Sequence, residues 1–492
     1  MKFLLIGNGA REHALGEAIV RSPQKPELVV FADKINPGLQ KIATVYEKVD
    51  SLSDLVKLRE LVEREKPELA VVGPEAPIAA GAADLLEELG VGCVAPKKSS
   101  ARLESSKGFT RKLLQDYGIP GNPDFAVFVP GSETEKAMRD FMKSLNGEFV
   151  VKADGLKSGK GVKVVGDHLS GIDDGLHFAM SCLNEDGRVV VEEKLVGEEF
   201  SAMFLTDGKT LVALPVSQDH KRAFEDDKGP NTGGMGSYSD EKNSLPFLQP
   251  EDLTAAREIT EQVLVALQKE TGETFRGVMY GGFIVTKNGV RLIEYNARFG
   301  DPEALNVFPI LKTDFVAVCQ KVVAGELVSL PLEFEKMATV VKYAVPEGYP
   351  NNPVAGSPIK ILGLPAGCQI FYAAVDVDSE GQVLTGTSRA IAVVGIAESL
   401  TAAEQISEAG MQKIEGRLFH RRDIGTPSLV EKRISHLKNL RGEGIQFFGL
   451  PPSLSPPPFF SVSRFLVVKR KFQRARNLLF AISGGGLDSA KI

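Results

Sequence analysis

The chain has 492 residues, a length that predicts about three domains. Hydrophobic residues make up 43% of it, enough for globular cores, and a formal net charge of -6 gives no overall attraction to nucleic acid or to anionic membranes. The four cysteines form neither a CxxC pair nor a zinc pattern, and no apolar run is long enough to cross a membrane. We therefore expect a cytoplasmic protein that acts on small molecules, as a monomer or a weak homodimer.

The N-terminal part alternates between strand and helix patterns. Short apolar runs are separated by stretches of helix length, a rhythm that predicts a parallel sheet with crossover helices. We assign this part to the α/β class as a Rossmann-like sheet. The predicted strands cover 2–6, 28–32 and 70–72, and the predicted helices cover 10–22 and 52–65.

Glycines stand where two of these strands end. Gly7-Asn8-Gly9 separates the first strand from the first helix, and Gly73-Pro74-Glu75 follows the strand at 70–72. Glycine turns at the carboxyl edge of a parallel sheet leave backbone N–H groups free, so we expect this edge to bind a phosphorylated ligand. A dinucleotide fingerprint would need glycine at position 12, where the chain has Glu12, so a nicotinamide cofactor is disfavoured.

A glycine-rich loop with lysines lies between two further predicted strands. The strands cover 149–154 and 163–165, and the loop covers 155–161. Its backbone amides and ammonium groups can fold over a triphosphate. It is not a Walker A loop, because Gly161 follows Lys160 where that motif needs Ser or Thr. The alternative is a plain hairpin turn with solvent-facing lysines.

A second glycine-rich segment covers 219–236, after a predicted strand at 188–192. Its composition indicates a segment too polar and flexible to be core. Its position between the nucleotide-type strands and the acidic strand described next favours a substrate-binding loop. An ordinary mobile surface loop is the alternative.

The segment 294–303, with the sequence EYNARFGDPE, carries the strongest functional signal. If 290–296 is a strand, Glu294 and Asn296 point to the same side, because side chains alternate. A carboxylate and an amide oxygen are suitable ligands for Mg²⁺, which completes its shell with water and substrate phosphates. Arg298 lies beside them and could hold a transferring phosphoryl group. The alternative is a solvated strand end followed by a turn.

Four motifs in this order resemble the phosphoribosylamine–glycine ligase family of the ATP-grasp superfamily. The similarity extends from residue 1 to about residue 442. The motifs cover 7–15, 152–161, 219–236 and 296–303, and a further family-like stretch covers 418–426.

The resemblance implies an ATP-dependent ligase of de novo purine biosynthesis. Such an enzyme joins glycine to 5-phosphoribosylamine through a glycyl phosphate and releases glycinamide ribonucleotide, ADP and phosphate. ATP is the cosubstrate, with Mg²⁺ or Mn²⁺ as the metal ion, and neither nucleic acid nor membrane is a partner. Another ATP-grasp carboxylate–amine ligase or carboxylase of purine metabolism is the alternative.

The resemblance also implies roles for individual residues. Arg298, Asp219 and Lys221 would act on the reacting groups, and Glu294 and Asn296 would bind the metal ion. The nucleotide would contact Lys107, Lys152, Gly155, Gly159, Lys160, Gly161, Glu192, Glu193, Leu195 and Glu199, the hinge residues among them through backbone groups. The other substrates would contact Gly7, Asn8, Gly9, Arg11, Glu12, Gly73, Pro74, Glu75, Asn231, Thr232, Gly233 and Asp301.

Two positions depart from the family pattern. The strand before the acidic one has no side-chain oxygen at Gly281 or Gly282, where many ATP-grasp enzymes carry a further metal ligand, which leaves a third protein ligand open. Lys194 occupies a position of the adenine hinge that is usually apolar.

The resemblance implies three domains followed by a tail. They are an N-terminal Rossmann-like domain at 1–103, an ATP-grasp domain at 104–326 with 120–195 as its smaller lobe, and a small β-rich domain at 327–442. In the C-terminal domain we predict strands at 339–344 and 369–375 and a helix at 402–416.

The tail at 443–492 falls outside the resemblance. Its proline-rich start predicts a stiff linker, and the basic remainder ends in SGGGLDS near residue 489, which faintly resembles a pyrophosphate loop of another ATP-using superfamily. We expect a disordered extension or the truncated start of a fused domain, rather than a contact with nucleic acid or membrane.

Overall fold

The computed structural model describes residues 1–157 and 161–442. The predictions for Gly159, Lys160 and the tail at 443–492 therefore lie outside the described residues. All described residues belong to one compact unit.

The N-terminal part folds as the expected parallel sheet. Its strands are β1 (Lys2–Ile6), β2 (Glu27–Ala32), β3 (Val45–Lys48), β4 (Leu69–Val72) and β5 (Gly92–Val94). Its helices are α1 (Ala10–Val20), α2 (Pro37–Ile42), α3 (Leu55–Glu65), α4 (Glu75–Ala80), α5 (Ala82–Glu88) and α6 (Lys98–Ser105). The strand order is β3-β2-β1-β4-β5, and Ile6 lies opposite Val72, so the two glycine turns that follow meet at one edge.

A small antiparallel sheet with its own helices follows. The elements are α7 (Lys107–Asp116), β6 (Phe125–Phe128), α8 (Thr134–Ser144), β7 (Phe149–Ala153), β8 (Val162–Val164), α9 (Ile172–Asp186) and β9 (Val189–Glu193). The strand order is β6-β9-β7-β8. Met138 and Met142 of α8 are fully buried against Phe149 and Val151 of β7, which gives this sheet a core of its own.

The central sheet carries the acidic strand. The elements are β10 (Gly197–Thr206), β11 (Leu211–Ala213), β12 (Gln218–Asp219), β13 (Arg222–Phe224), β14 (Lys228–Asn231), β15 (Gly236–Ser239), α10 (Pro250–Thr271), β16 (Gly277–Thr286) and β17 (Gly289–Asn296). The sheet order is β11-β10-β16-β17, and β13 pairs with β14 as a separate hairpin. The acidic strand β17 is therefore at the end of its sheet.

The C-terminal part adds a third antiparallel sheet. Its helices are α11 (Ala304–Val307), α12 (Phe315–Ala324), α13 (Leu400–Met411) and α14 (Pro427–Arg441). Its strands are β18 (Ala338–Pro346), β19 (Lys360–Ile361), β20 (Cys368–Tyr372), β21 (Val375–Val377), β22 (Val383–Thr385), β23 (Ile391–Ala397), β24 (Ile414–Glu415) and β25 (Leu418–Phe419). The sheet order is β12-β15-β18-β23-β20, so strands from the substrate-type segment join it. Short 3₁₀ turns cover Glu225–Asp227, Phe308–Ile310 and Leu327–Ser329.

One apolar core connects the larger sheets. Phe3 of β1, Phe283 of β16 and Val340 of β18 belong to the same cluster of buried side chains. None of the described helices is both long enough and apolar enough to cross a membrane.

Two predicted elements differ from the structure. The helix predicted over 402–416 ends at Met411, and the following residues enter β24. The strand predicted over 369–375 is two strands, because β20 ends at Tyr372 and β21 begins at Val375. In both places the residues after the turn have a composition that would also fit the helix or strand before it, so the sequence does not show where that element ends.

Candidate active site

The last residues of β17 form the centre of the site. Glu294 and Asn296 are partly exposed and flank the buried Tyr295, whose Oη lies 2.9 Å from Thr260 Oγ1. The two oxygen-bearing side chains therefore share one face, as strand alternation requires. Gly282 lies opposite Glu294 on β16, and a Cβ placed on it would lie 3.7 Å from Glu294 Cγ.

Four cations surround the Glu294 carboxylate. Burial alone would raise the pKa of Glu294, but the nearby positive charges lower it to about 2. The carboxylate is therefore ionised at neutral pH. The cations are Lys221, Lys107, Lys152 and Arg298.

The two donors fit a hard divalent cation. Asn296 Oδ1 accepts a hydrogen bond from Arg298 Nη2 at 3.2 Å and keeps a second lone pair. In the described part of the chain, no three His, Cys, Asp or Glu side chains are grouped so that they could hold a metal ion. One ionised carboxylate and one amide oxygen suit Mg²⁺ or Mn²⁺, which take water and phosphate oxygens as further ligands.

Lys107 is the first residue of α7, and its position is fixed by Asp154. Asp154 Oδ2 accepts from the Oγ of Ser106, the N-cap of this helix, at 3.1 Å, and Asp154 Oδ1 accepts from Gly108 N at 2.9 Å. Because Asp154 follows the strand that carries Lys152, the two lysines are held on connected elements.

The described ends of the glycine-rich loop start beside these lysines. Lys107 Nζ donates to Gly155 O at 3.4 Å. Ala153 N donates to Gly161 O at 2.8 Å, which closes the base of the loop.

Lys152 belongs to a buried triad with Glu192 and Arg111. Lys152 Nζ lies 2.8 Å from Glu192 Oε2 and donates to Ile293 O at 2.8 Å. Arg111 donates to both oxygens of Glu192, at 2.7 and 2.9 Å, and to Ile293 O at 2.6 Å. Because Ile293 precedes Glu294, the triad fixes the backbone next to the carboxylate. The Glu192 side chain thus points into the protein.

Arg298 is held between two carboxylates. Its Nη2 lies 3.1 Å from Glu104 Oε1, and its Nε lies 3.7 Å from Glu75 Oε2. Glu104 Oε2 also accepts from Ala297 N at 2.8 Å. Burial alone would lower the pKa of Arg298, but the two carboxylates raise it, so the guanidinium stays charged. Glu75 thereby connects the N-terminal edge to the end of β17.

The glycine turn after β1 contains a carboxylate. Glu12 Oε2 accepts from Gly9 N at 2.6 Å, and Glu12 Oε1 accepts from Arg11 Nε at 2.5 Å. Gly7 has a φ of +120°, and a Cβ on Gly73 would lie 1.9 Å from Glu12 Oε1, so both glycines make room for this side chain. The expectation that Gly9 offers a free N–H to phosphate is therefore wrong.

This edge of the N-terminal sheet faces the turn after β17. Arg11 Nη1 donates to Phe299 O at 3.1 Å. A Cβ placed on Gly9 would lie 3.8 Å from Asp301 Oδ2. The predicted substrate residues of the two segments therefore meet. Asn8 and Pro74 lie in the two turns of the same edge.

The segment 219–236 is folded more tightly than its composition indicates. His220 and Met235 are 1% and 0% exposed. The N and Oγ1 of Thr232 both donate to Lys221 O, at 2.7 and 2.9 Å. The expectation that this segment is too polar for the core is wrong for His220 and Met235, because their backbone groups are paired. Asn231 pairs with Arg222 across the hairpin, and Gly233 follows Thr232.

The Lys221 side chain extends from this segment toward Glu294, one of the two candidate metal ligands. Its Nζ lies 3.8 Å from Glu199 Oε2 and 3.9 Å from Glu294 Oε1. Burial would lower the pKa of Lys221, but these carboxylates and Asp219 raise it, so the ammonium is charged. Lys221 can therefore contact a carboxylate or phosphate bound at β17.

Asp219 is a partly buried carboxyl group whose charge interacts with that of Glu303. Burial and the charge of Glu303 raise the pKa of Asp219 well above its usual range, against the effect of Lys221. Glu303 is held by Tyr280 Oη at 2.5 Å and by Ser201 Oγ at 3.1 Å. Asp219 is therefore the more basic kind of carboxylate that proton transfer favours.

In the hinge segment, residues 193–195 at the end of β9, the first two backbone N–H groups donate hydrogen bonds within the protein. Glu193 N donates to Asp124 O at 2.8 Å, and Lys194 N donates to Glu148 O at 3.1 Å. Glu193 Oε1 accepts from Asp124 N at 3.0 Å. The N–H of Leu195 has no hydrogen-bond partner within the described residues.

The sequence analysis did not predict a role for three residues of the site. All three are buried: Arg111 pairs with Glu192, Glu104 pairs with Arg298, and Glu303 raises the pKa of Asp219. Arg111 stands one helical turn after Lys107, a spacing that could have indicated it. Glu303 ends the predicted segment 294–303 but was given no role, and Glu104 had no comparable signal, because its partner Arg298 is distant in sequence.

Three models of one protein family match successive parts of the chain. Residues 1–104 match the N domain of phosphoribosylglycinamide synthetase, 105–304 its ATP-grasp (A) domain and 339–427 its C domain. The chain belongs to this family. The family resemblance drawn from the motifs is thereby confirmed, as is the mixed α/β fold class.

Curated relatives match nearly the whole described chain. The phosphoribosylamine–glycine ligase of Methanosarcina barkeri is 47% identical over 442 residues, which are 90% of this chain and 100% of that protein. The enzyme of the same name from Methanocaldococcus jannaschii is 42% identical over 447 residues, which are 90% of this chain and 100% of that protein.

Solved structures agree with the fold. The phosphoribosylamine–glycine ligase of Thermotoga maritima has 29% identity and a TM-score of 0.72, with 86% of this chain and 100% of that chain covered. The biotin carboxylase domain of Hydrogenobacter thermophilus 2-oxoglutarate carboxylase, solved with MgADP and bicarbonate, has 16% identity and a TM-score of 0.68, with 89% and 97% covered. The second likeness concerns the fold alone.

Proposed function

We propose that the chain uses ATP to ligate glycine to 5-phosphoribosylamine, and that the reaction takes place around Glu294. As a family member the chain is an ATP-grasp ligase that forms a carbon–nitrogen bond, and it acts in purine biosynthesis. One observation carries the assignment of the site. An ionised Glu294 lies among four cations and beside the amide oxygen of Asn296.

The nucleotide phosphates would lie between β17 and the two lysines. Lys107 and Lys152 neutralise their charge, and Glu294 with Asn296 holds Mg²⁺, or Mn²⁺ in its place. An ion held by these two side chains would supply positive charge that offsets the charge of the phosphates. Arg111 and Glu192 act through Lys152, because they hold its ammonium group beside the strand.

The adenosine part would lie against the hinge after β9. Leu195 is the candidate donor to the adenine ring, since its N–H has no partner in the described part of the chain. Glu193 supports the hinge, and Glu199, whose side chain is 54% exposed, is the candidate ribose contact. Gly155 and Gly161 bound the loop that covers the phosphates.

The first chemical step activates glycine. A glycine carboxylate oxygen attacks the γ-phosphorus of ATP, the bond from that phosphorus to the β–γ bridging oxygen breaks, and ADP leaves. Arg298 and Lys221 hold the transferred group and the glycine carboxylate, because both stay charged beside Glu294. No protein nucleophile is needed, since positioning and charge neutralisation supply the catalysis.

The second step forms the amide. The nitrogen of phosphoribosylamine attacks the carbonyl carbon of glycyl phosphate, the bond to the phosphate oxygen breaks, and phosphate leaves. The nitrogen must lose one proton, and Asp219, whose pKa is raised by burial and by Glu303, is the candidate acceptor. The amine substrate would lie along the edge formed by Gly9, Glu12 and Glu75, opposite Asp301.

We further propose that this arrangement uses three domains at 1–103, 104–326 and 327–442, in a cytoplasmic monomer or weak homodimer. The separate core of the small sheet within 120–195 supports its role as a distinct lobe. The negative net charge of -6 supports small molecules as its partners.

The test measures ADP release by the purified protein. We expect ADP release in the presence of Mg²⁺ and ATP to require both glycine and freshly generated phosphoribosylamine, and glycinamide ribonucleotide to form in equal amount. Release of ADP at the same rate with alanine in place of glycine would contradict the substrate assignment.

The metal is tested in the same assay. Chelation should abolish turnover, and either Mg²⁺ or Mn²⁺ should restore it. Full turnover after chelation would contradict the role of Glu294 and Asn296 as ligands.

A further inference from the structure

Arg389, just before β23 in the C-terminal sheet, reaches into the substrate side of the site. Its Nη1 donates to Gly233 O at 2.7 Å, to Gly234 O at 3.0 Å and to Asp301 O at 3.2 Å. Its Nη2 lies 3.1 Å from Asp301 Oδ2. One guanidinium therefore joins three parts of the chain that are far apart in sequence.

The position of this guanidinium is fixed by Tyr343 of β18. The guanidinium carbon of Arg389 lies 4.3 Å from the centre of the Tyr343 ring, and Tyr343 Oη donates to Asp301 Oδ1 at 2.5 Å. The Tyr343 side chain is fully buried, and that of Arg389 is 13% exposed. Both oxygens of Asp301 are thus held from the C-terminal sheet.

Several oxygens converge at this point and need a common cation. The carbonyl oxygens of Gly233, Gly234 and Asp301 would repel one another without the planar set of donors that arginine supplies. Gly234 has a φ of +107°, and a Cβ on it would lie 2.6 Å from Asp219 Oδ1. The backbone that Arg389 holds therefore passes close to the Asp219 carboxylate.

The held carboxylate faces the N-terminal edge. Asp301 Oδ2 would lie 3.8 Å from a Cβ on Gly9. Asp219, Asp301 and the turn at Gly9 are the residues on which the amine substrate would lie, whereas the nucleotide side around Lys152 makes no contact with Arg389.

We propose that Arg389 is a positioning residue for the amine substrate, and that Tyr343 supports it. This inference rests on the proposed function. Arg389 holds Asp219 and Asp301 in one arrangement, so that the C-terminal sheet determines the affinity for phosphoribosylamine but not for ATP. Lysine cannot replace it, because one ammonium group cannot reach four oxygens spread over two segments.

The test compares the KM values of three substrates in four proteins. The proteins are the wild type, Arg389→Lys, Tyr343→Phe and the control Arg417→Ala, which removes an arginine from an exposed ion pair with Glu347 in the same part of the chain. We expect Arg389→Lys to raise the KM for phosphoribosylamine at least about tenfold and Tyr343→Phe to raise it about threefold. The KM values for ATP and glycine should stay within about twofold in all four proteins.

Two results would overturn the inference. An unchanged KM for phosphoribosylamine in both variants would remove the role of Arg389, and an equal rise of all three KM values would show a general structural role. Both results require that the wild type and Arg417→Ala form the ligated product. Failure of these two proteins to form it would instead contradict the proposed function itself, and the inference with it.

Discussion

Two buried lysines, Lys152 in β7 and Lys342 in β18, have similar partners but differ in how many of their ammonium hydrogens have an acceptor. The side chain of Lys342 is 0% exposed, and its three ammonium hydrogens have three acceptors. The acceptors are Glu404 Oε1 at 2.7 Å, Glu408 Oε2 at 2.8 Å and Arg422 O at 2.8 Å.

Among the described residues, Lys152 has two acceptors at hydrogen-bond distance. They are Glu192 Oε2 and Ile293 O, each at 2.8 Å, and the side chain is 5% exposed. Burial lowers the pKa of Lys152, although Glu192 acts to raise it. A bound anion would favour the charged form of this lysine. The comparison indicates that a buried structural lysine uses all three donors, whereas a phosphate-binding lysine keeps one for the ligand.

The largest effect should come from Lys152→Met. We expect kcat/KM to fall by about 10³-fold or more, because the ammonium hydrogen that Lys152 keeps for phosphate is lost. The melting temperature should change little, since Arg111 continues to pair with Glu192. Steady-state kinetics and thermal unfolding measure the two effects, and turnover near that of the wild type would show that the spare donor has no function.

Lys342→Met is the matched variant in the other cluster. We expect it to lower the free energy of unfolding by about 3 kcal/mol, because it leaves Glu404 and Glu408 without their shared cation. The KM values should not change in the protein that remains folded. Denaturant unfolding measures this effect, and a loss of activity without a loss of stability would contradict the distinction.

Acid should remove part of the stability that the ion pairs of Lys342 with Glu404 and Glu408 give to the folded state. Burial would raise the pKa of Glu408, but hydrogen bonds from His420 and Lys342 lower it from 4.5 to about 2. A lowered pKa stabilises the folded state above the unfolded pKa, and this contribution is lost as the pH falls from 4.5 to about 2.

The measurement is the stability difference between the wild type and Glu408→Gln. It should be largest above pH 4.5 and shrink below it. A difference that grows on acidification would show that Glu408 is not held as an ionised group.

The smallest effect should come from an exposed ion pair. Arg417 Nη2 lies 2.8 Å from Glu347 Oε2, with both side chains 60% exposed. Arg417→Ala should change the free energy of unfolding by less than about 0.5 kcal/mol, because solvent screens such pairs. A larger loss in the free energy of unfolding would show that a short distance makes even an exposed ion pair stabilising. The comparison between the two buried lysines would then lose its basis.

The sequence was sufficient for the features that depend on local patterns. The strand Lys2–Ile6 was predicted with both ends correct, because an apolar run meets glycines there. The shared face of Glu294 and Asn296 follows from strand alternation alone. The order of the glycine-rich segments was enough to indicate the family, which the domain matches confirm.

Features that depend on distant partners were not predictable. The bond from Gly9 N to the Glu12 carboxylate is a local contact at the helix start, but the space for this carboxylate comes largely from Gly73, which is distant in sequence. The inward turn of Glu192 depends on Arg111, which is 81 positions away. The burial of Met235 and Gly236 involves pairing with β18, which a polar composition conceals.

The most direct test of the account is the turnover of Glu294→Gln with saturating Mg²⁺, ATP, glycine and phosphoribosylamine. Glutamine keeps the size of the side chain and removes its charge. We predict that kcat falls by about 10³-fold or more while thermal unfolding stays near that of the wild type. A kcat within about tenfold of the wild type would contradict the placement of the metal ion and the nucleotide on this strand.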